Sequence, residues 1–230
     1  MDSGNIGFVL LCAAFVFVMT PGLAMFYGGL VRKKNVVNTM MTSIFIIGIG
    51  IVMWVLFGYS LSFAPSGNAF IGDFRWLGLE GVSLTEGYTD GASIPNMVFS
   101  AFQMMFAVIT PALITGAVAG RMKFKSIFVF TIFWSLIVYY PLAHMVWGQG
   151  GLLGADGIGA LDFAGGDVVH ISSGVSALVL CILLGKRHDY EHSIYRIHNI
   201  PTVVLGASLL MFGWFGFNAG SALAADGLAA

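Results

Sequence analysis

His170 is the side chain best suited to chemistry, because it lies in an apolar stretch with few ionisable groups. A histidine in such a stretch normally faces a cavity or another polar side chain, where it can take up or release a proton. A hydrogen bond to a neighbouring helix, with a packing role, is the alternative. Asp162 and Asp167 precede it and suit the start of a helix, where carboxylates cap free N–H groups. A helix that begins near Asp162 would place His170 two turns, or about 12 Å, inside.

Aromatic side chains form a second candidate group. Phe102 and Phe106 are four residues apart and therefore share one face of a helix. Trp147 ends one apolar stretch, and Trp214 and Ser221 lie near the end of another. Tryptophan at such ends is typical of an aromatic belt at the membrane surface. The alternative is a vestibule for a small cation, in which ring faces attract the charge and a hydroxyl accepts a hydrogen bond.

The sequence lacks the residue patterns that other kinds of chemistry require. Cys12 and Cys181 lie in apolar runs without metal-ligand spacing and are predicted to be small core residues. No nucleophile with a base, pair of catalytic carboxylates or metal-binding cluster is apparent, so we predict neither an enzyme nor a cofactor or metal. Ten Lys and Arg residues and a net charge of -1 exclude a basic surface for nucleic acid.

The elements that carry these residues are predicted to be membrane helices. Charged residues make up 9% of the 230, the hydrophobic fraction is 58% and the mean hydropathy is +0.90, whereas soluble domains are about 25% charged. A bilayer core of about 30 Å needs roughly 20 helical residues. Six stretches between charges are candidates: Asp2 to Arg32, Lys34 to Asp73, Asp90 to Arg121, Lys125 to Asp156, Asp167 to Lys186, and Arg196 to Asp226. The predicted fold is an all-α polytopic bundle of six transmembrane helices.

The distribution of cations predicts the orientation of these helices. Nine of the ten Lys and Arg residues lie in the connections 32–34, 121–125 and 186–196. Cationic connections stay in the cytoplasm, so the acidic connection 64–93 and both ends of the chain are predicted to lie outside. The N-terminus has no basic segment, and the first span is therefore expected to be a permanent helix of a multi-pass protein in the cell membrane.

Glycine and proline indicate how the helices pack. Small residues let membrane helices approach closely, and such positions are Gly28 with Gly29, Gly48 with Gly50, Gly116 with Gly120, Gly165 with Gly166, and Gly216 with Gly220. Prolines within or near the ends of the spans predict kinks, at Pro21, Pro111 and Pro141.

Several strings resemble the ammonium transporter (Amt/Rhesus) family. They occupy residues 21–32 and 34–35, 102–107, 144–148, 161–166, 168–171, 185–187 and 213–221. The most specific is Asp-Phe-Ala-Gly-Gly at 162–166, followed by Val-Val-His at 168–170. The matches run through all six predicted helices in order.

The resemblance implies roles for individual residues. An outer ammonium site would consist of Phe106, Trp147, Phe217 and Ser221, of which the two phenylalanines would also form a stacked gate. Phe102 and Trp214 would line the vestibule, Phe26 and His170 would line the pore, and Asp162 would order the backbone near the site without contacting the ion. The implied mechanism recruits ammonium as a cation, removes a proton and conducts ammonia through an apolar pore, while the proton travels separately by way of histidines.

The sequence departs from the family pattern at Gly120, where the family usually has glutamate, at Gln149, and at Asp167, a position commonly uncharged. The family fold has two inverted five-helix repeats and a further helix. Residues 1–230 would supply the N-terminal portion, namely the first repeat and the opening helix of the second. We therefore expect a fragment that is inactive alone. The resemblance also implies a homotrimer, a role in nitrogen uptake and a cytoplasmic regulatory protein. Two alternatives are an ammonium sensor domain and a Rhesus-like gas channel.

Overall fold

Six long helices form the molecule. The computed structural model describes residues 1–65, 67–155, 157–187, 190 and 194–230. Within these ranges no strand is present, and six helices are long and apolar enough to cross a membrane: α1 Ser3–Leu30, α2 Lys33–Phe63, α3 Asn96–Val118, α4 Phe124–Trp147, α5 Gly166–Leu184 and α6 Ile200–Gly220. The predicted all-α fold with six spans is confirmed. Asp156, used above as the outer bound of the fourth span, lies outside the described residues.

Three of these helices contain a widened π-helical turn. The turns are Trp54–Gly58 in α2, Ser135–Tyr139 in α4 and Gly166–Ile171 at the start of α5. In α4 the turn ends two residues before Pro141, where the missing N–H and the bulk of the ring disfavour regular α-helical bonding. The turns of α2 and α4 lie close together, because a Cβ placed on Gly58 would be 2.7 Å from the ring of Tyr140.

Helices α1 and α6 pack closely along their lengths. A Cβ at Gly206 would be 2.6 Å from the carbonyl oxygen of Gly22, and a Cβ at Gly216 would be 2.7 Å from that of Cys12. Glycine at these positions therefore allows contact between the two backbones. Gly48 and Gly166 differ, because a Cβ there would meet nothing within 4 Å among the described residues. The close contact predicted from glycine does not occur at those two sites.

Burial is uneven across the bundle. Helix α3 is central, with 72% of its most apolar stretch buried, whereas the value is 22% in both α5 and α6. Large apolar side chains are exposed on these two helices, including Leu178, Ile182 and Leu183 of α5 and Met211 and Phe215 of α6. The bundle is thus open on the side formed by α5 and α6.

The connection between α2 and α3 folds over one end of the bundle. Tyr88 of this connection stacks on Phe99 of α3, with ring centroids 4.8 Å apart and planes at 4°. Asp73 and Arg75 form an ion pair of 2.7 Å, and the hydrogen bonds from the Arg75 side chain lower the pKa of the Asp73 carboxyl. The pair is partly exposed, so its contribution to stability is small.

His144 links α4 to this connection. It is fully buried, and its ring nitrogens lie 3.1 Å from the carbonyl oxygen of Ser62 and 2.8 Å from that of Asn68. Ser62 lies in the last turn of α2, and Asn68 lies in the connection that follows it. His144 therefore has a packing position.

Candidate functional site

Asp162 organises the start of α5. Its carboxylate accepts four backbone N–H groups, from Gly165 at 2.5 Å, Gly166 at 2.9 Å, Asp167 at 2.8 Å and Val168 at 2.9 Å. These are the N–H groups that a helix start leaves without internal partners. Gly165 adopts a left-handed conformation, with φ of 95°, which glycine tolerates without strain.

The helix begins at Gly166, four residues later than the sequence suggested. Asp162 acts from the preceding turn, so it lies outside the helix that it caps. His170 is consequently the fifth residue of α5 and lies about 6 Å along its axis at 1.5 Å per residue. The estimate of two turns above was wrong for this reason.

The same turn also holds Trp147 in place. The indole Nε1 donates a 3.0 Å hydrogen bond to the backbone oxygen of Asp162. Trp147 in turn meets the edge of Phe106, with centroids 5.9 Å apart and planes at 89°. The end of α4, the start of α5 and the middle of α3 are therefore connected through these three residues.

An outer cavity of about 260 Å³ lies beside this group. Its lining residues come from α3, from the ends of α4 and α6 and from the two outer connections. The predicted residues among them are Phe102, Phe106, Trp147, Asp162 and Ser221. The Ser221 hydroxyl donates to the backbone oxygen of Phe217 at 2.9 Å, which leaves its oxygen free to accept a hydrogen bond from a bound group.

Phe106 and Phe217 lie together beneath the cavity. Their centroids are 4.3 Å apart, with planes at 34°, and both side chains are 1% exposed. Phe102 packs on Phe106 at 5.0 Å. Phe106 lines the cavity and Phe217 does not, so Phe217 lies on the far side of the pair.

His170 lies beyond Phe217. Its ring stacks on Trp214, with centroids 5.4 Å apart and planes at 14°, and is 5.9 Å from Phe217. Within the described part of the chain the imidazole has aromatic neighbours and no hydrogen-bond partner. His170 is exposed and Trp214 is 42% exposed, on the open side of the bundle.

Phe26 is the one predicted site residue that does not join this aromatic cluster. It lies on α1 where α6 approaches, since a Cβ at Gly206 would be 2.8 Å from the Cα of Phe26. Its ring contacts Tyr27 at 5.8 Å. Among the described residues it has no ring contact with Phe106, Phe217 or Trp214.

Gln103 and Tyr88 are two of the cavity-lining residues that the sequence analysis missed. Gln103 is 8% exposed, lines the cavity and has a buried Oε1 atom without a hydrogen-bond partner in the described structure. The sequence could have indicated Gln103, because it is a polar residue next to Phe102 in an apolar span.

Tyr88 offered no comparable signal, since its position depends on how residues 64–95 fold. Burial raises the pKa of its phenol to about 12, so the side chain stays neutral at physiological pH. Gln149, noted above as a departure, bonds to this residue: its backbone N–H donates to the Tyr88 hydroxyl at 3.0 Å and its side-chain amide to the Tyr88 carbonyl at 2.8 Å.

The described residues contain no group of three or more His, Cys, Asp or Glu side chains placed to hold a metal. The site instead combines aromatic faces with the hydroxyl of Ser221, the amide of Gln103 and the imidazole of His170, and it extends from one end of the bundle to its open side. A polytopic helical bundle with such a path is the architecture of a membrane transport protein for a small solute.

Comparison with known proteins identifies the family. The model of the Ammonium Transporter Family matches residues 7–230. An ammonium transporter of Bacillus subtilis is 54% identical over 230 residues, which is all of this chain and 55% of that protein. The chain belongs to the ammonium transporter family, a family of transport proteins, and the resemblance of its motifs is confirmed.

Solved structures agree with this result. The crystal structure of Saccharomyces cerevisiae Mep2 matches with a TM-score of 0.87 and 38% identity, over 98% of this chain and 50% of that one. A structure described as a sensor Amt protein matches with a TM-score of 0.84 and 31% identity, over 97% and 56%. The chain thus spans about half the length of the relatives that it matches.

Proposed function

We propose that this chain supplies the outer site and the first half of the pore of an ammonium transporter. The observation that carries the proposal is the succession of outer cavity, Phe106–Phe217 pair and His170. Phe106 lines the cavity and lies 4.3 Å from Phe217, and the Phe217 ring lies 5.9 Å from that of His170. The names of the relatives supply the substrate, ammonium.

Ammonium is recruited in the outer cavity as a cation. The ring faces of Phe106 and Trp147 attract the charge, and the Ser221 oxygen accepts one of its hydrogen bonds. Phe102 forms part of the wall. The Asp162 carboxylate is occupied by four backbone N–H groups, so we assign it to holding the site and not to contacting the ion.

Passage beyond the phenylalanine pair requires loss of a proton. An isolated cation in hydrocarbon faces an idealised Born penalty of about 20 kcal/mol, whereas neutral ammonia needs only a few hydrogen bonds. Ammonium therefore divides into ammonia, which crosses the apolar pore, and one proton, which moves separately by way of His170. Potassium has no proton to release and meets the full penalty, which gives selectivity between two cations of similar size. Trp214 and Phe26 line this route.

Replacement of His170 in the full-length protein tests the relay. His170→Leu should abolish ammonium-driven current in proteoliposomes, or lose selectivity over potassium, because the imidazole that accepts the proton is gone. His198→Leu, at an exposed histidine outside the site, is the matched control and should keep the current. A selective current of normal size in His170→Leu would reject the relay.

The orientation of the protein is also proposed. The cationic connections place the first, third and fifth loops in the cytoplasm and the N-terminus outside, in the plasma or inner membrane. A cysteine at position 3 should then react with an impermeant maleimide added to intact cells, and a cysteine at position 125 should not. The reverse pattern would invert the topology.

An ammonium sensor is the second candidate function, because a sensor Amt protein shares this fold at 31% identity. A sensor would bind ammonium in the same cavity and signal through a cytoplasmic segment, so ammonium binding without flux would favour it. A Rhesus-like gas channel fits less well, since Trp147 and Ser221 form an outer site suited to a cation. The homotrimer and the cytoplasmic regulatory protein implied by the resemblance remain predictions.

A further inference from the structure

The inner ends of the helices enclose a second cavity, which the proposed transport path does not use. Its volume is about 430 Å³. Nine described residues line it, of which five are cationic: Arg32, Lys34, Arg121, Lys186 and Arg187. None of these nine is acidic. The part of the wall that the structure describes therefore carries five positive side chains.

Cations in these connections are expected from topology alone, but their convergence on one cavity is not. The guanidinium carbons of Arg32 and Arg187 lie 4.5 Å and 4.9 Å from the centre of the same ring, that of Tyr195. The two charges are thus within about one Debye length (~10 Å) of each other. By contrast Lys33, Lys123 and Lys125 of the same connections do not line the cavity.

The donors at the wall are held in position before anything binds. Arg121 donates to the carbonyl oxygen of Gly185 at 2.8 Å and contacts the Cys181 sulfur at 2.9 Å. A Cβ at Gly120, where φ is +70°, would lie 2.7 Å from Asn35 Nδ2 and 3.0 Å from Arg187 Nη1. An amide donor and a guanidinium donor therefore converge on a point where the chain itself carries no side chain.

We propose that this cavity binds a phosphate group. Guanidinium forks match the oxygens of phosphate in pairs, and a lysine ammonium adds a point charge. The cavity lies at the cytoplasmic ends of α1, α3 and α5 in the proposed orientation, at the level where basic pockets bind anionic lipid headgroups. The ligand is the phosphate of such a headgroup or free phosphate.

Titration with inorganic phosphate tests the site. The full-length protein in phosphatidylcholine nanodiscs should bind phosphate saturably at constant ionic strength, measured by calorimetry. Arg187→Gln should weaken binding about tenfold or more, which corresponds to one lost hydrogen bond to a charged group. Lys125→Gln removes a cytoplasmic cation outside the cavity and should leave the affinity within about twofold.

Nanodiscs that also contain phosphatidylglycerol separate the two sources of phosphate. Weaker phosphate binding in these discs, with less weakening in Arg187→Gln, assigns the cavity to the lipid headgroup, and unchanged binding assigns it to free phosphate. Either result supports the site.

Three results would overturn the proposal. The first is absence of saturable binding in the phosphatidylcholine discs. The second is equal weakening by Arg187→Gln and Lys125→Gln, which would indicate diffuse surface charge. The third concerns Asp189 and Glu191 of the same connection, which lie outside the described residues: binding that occurs only in the double variant Asp189→Asn/Glu191→Gln would mean that these carboxylates neutralise the cavity.

Discussion

Ser221, directly after the end of α6, contributes a hydroxyl to the outer cavity, and its effect can be isolated. Ser221→Ala should weaken ammonium recruitment about tenfold or more, because a hydrogen bond to a charged group contributes about 1.5–3 kcal/mol. Ser208→Ala is a matched control on the same helix, since both hydroxyls donate to the carbonyl four residues earlier, at 2.9 Å. Competition against methylammonium uptake in the full-length protein measures both, and equal effects would refute the role of Ser221.

Because the Asp162 carboxylate accepts four backbone hydrogen bonds, its substitution should destabilise the site. In Asp162→Asn one oxygen becomes an NH₂ group that faces backbone donors, so at least one N–H loses its partner at about 1–3 kcal/mol. We expect a lower unfolding temperature in detergent and a changed Trp147 fluorescence. Asp167→Asn is the control, because the Asp167 side chain makes no hydrogen bond in the described structure. Equal stability of the two variants would contradict this interpretation.

At the residue scale, the sequence predicted what depends on local chemistry. A carboxylate ahead of two glycines predicts a helix cap, and the four bonds to Asp162 are consistent with that role. The helix start was misplaced because Asp162 acts across a left-handed turn at Gly165. Gln103 and Tyr88 were missed because their places in the cavity depend on packing between distant segments.

Among the helices, the packing of α1 against α6 depends most on glycine, which has no side chain to keep the two backbones apart. Gly216→Leu should lower the unfolding temperature or prevent folding, because the new side chain would meet the backbone of Cys12, where a Cβ already lies 2.7 Å from the carbonyl oxygen. Overpacking of this kind costs about 1–3 kcal/mol or more.

Gly48→Leu provides the comparison for this prediction. Nothing lies within 4 Å of a Cβ at Gly48, so the same substitution in α2 should be tolerated. Thermal unfolding of both variants in detergent, followed by size-exclusion chromatography, measures the difference. A destabilised Gly48→Leu with an unaffected Gly216→Leu would contradict the packing described above.

The helices themselves were predictable from the spacing of charges, since a run without charge that is long enough to cross a bilayer has few alternatives. The π-helical turns were not. The turn Ser135–Tyr139 could have been suspected from Pro141, but Trp54–Gly58 has no proline. Its position opposite Tyr140 shows that contact between helices accompanies this irregularity, and a single sequence does not reveal such contacts.

For the whole molecule, the open face formed by α5 and α6 bears on whether residues 1–230 can transport ammonium alone. His170 and Trp214 are exposed on that face, so the path from the outer cavity has no second wall among the described residues. We expect residues 1–230 in liposomes to show no ammonium-driven current or pH change above that of empty vesicles. The full-length protein is the positive control, and robust flux through residues 1–230 would contradict the expectation.

The close packing of α1 and α6 also has a consequence for the order in which the helices assemble during biosynthesis. The partner of α1 begins at Ile200, so roughly 170 residues, or about 9 to 34 s of translation at 5–20 residues per second, separate the two helices. During that time the face of α1 that contains Gly22 and Gly29 is in the membrane without α6, the helix that packs on it. The ends of the pair meet last, where Ala225 donates to the Asn5 side chain at 2.9 Å. Newly made α1 can meanwhile pack on α2 and α3, which it also contacts, but its surface for α6 has no partner until the sixth helix arrives.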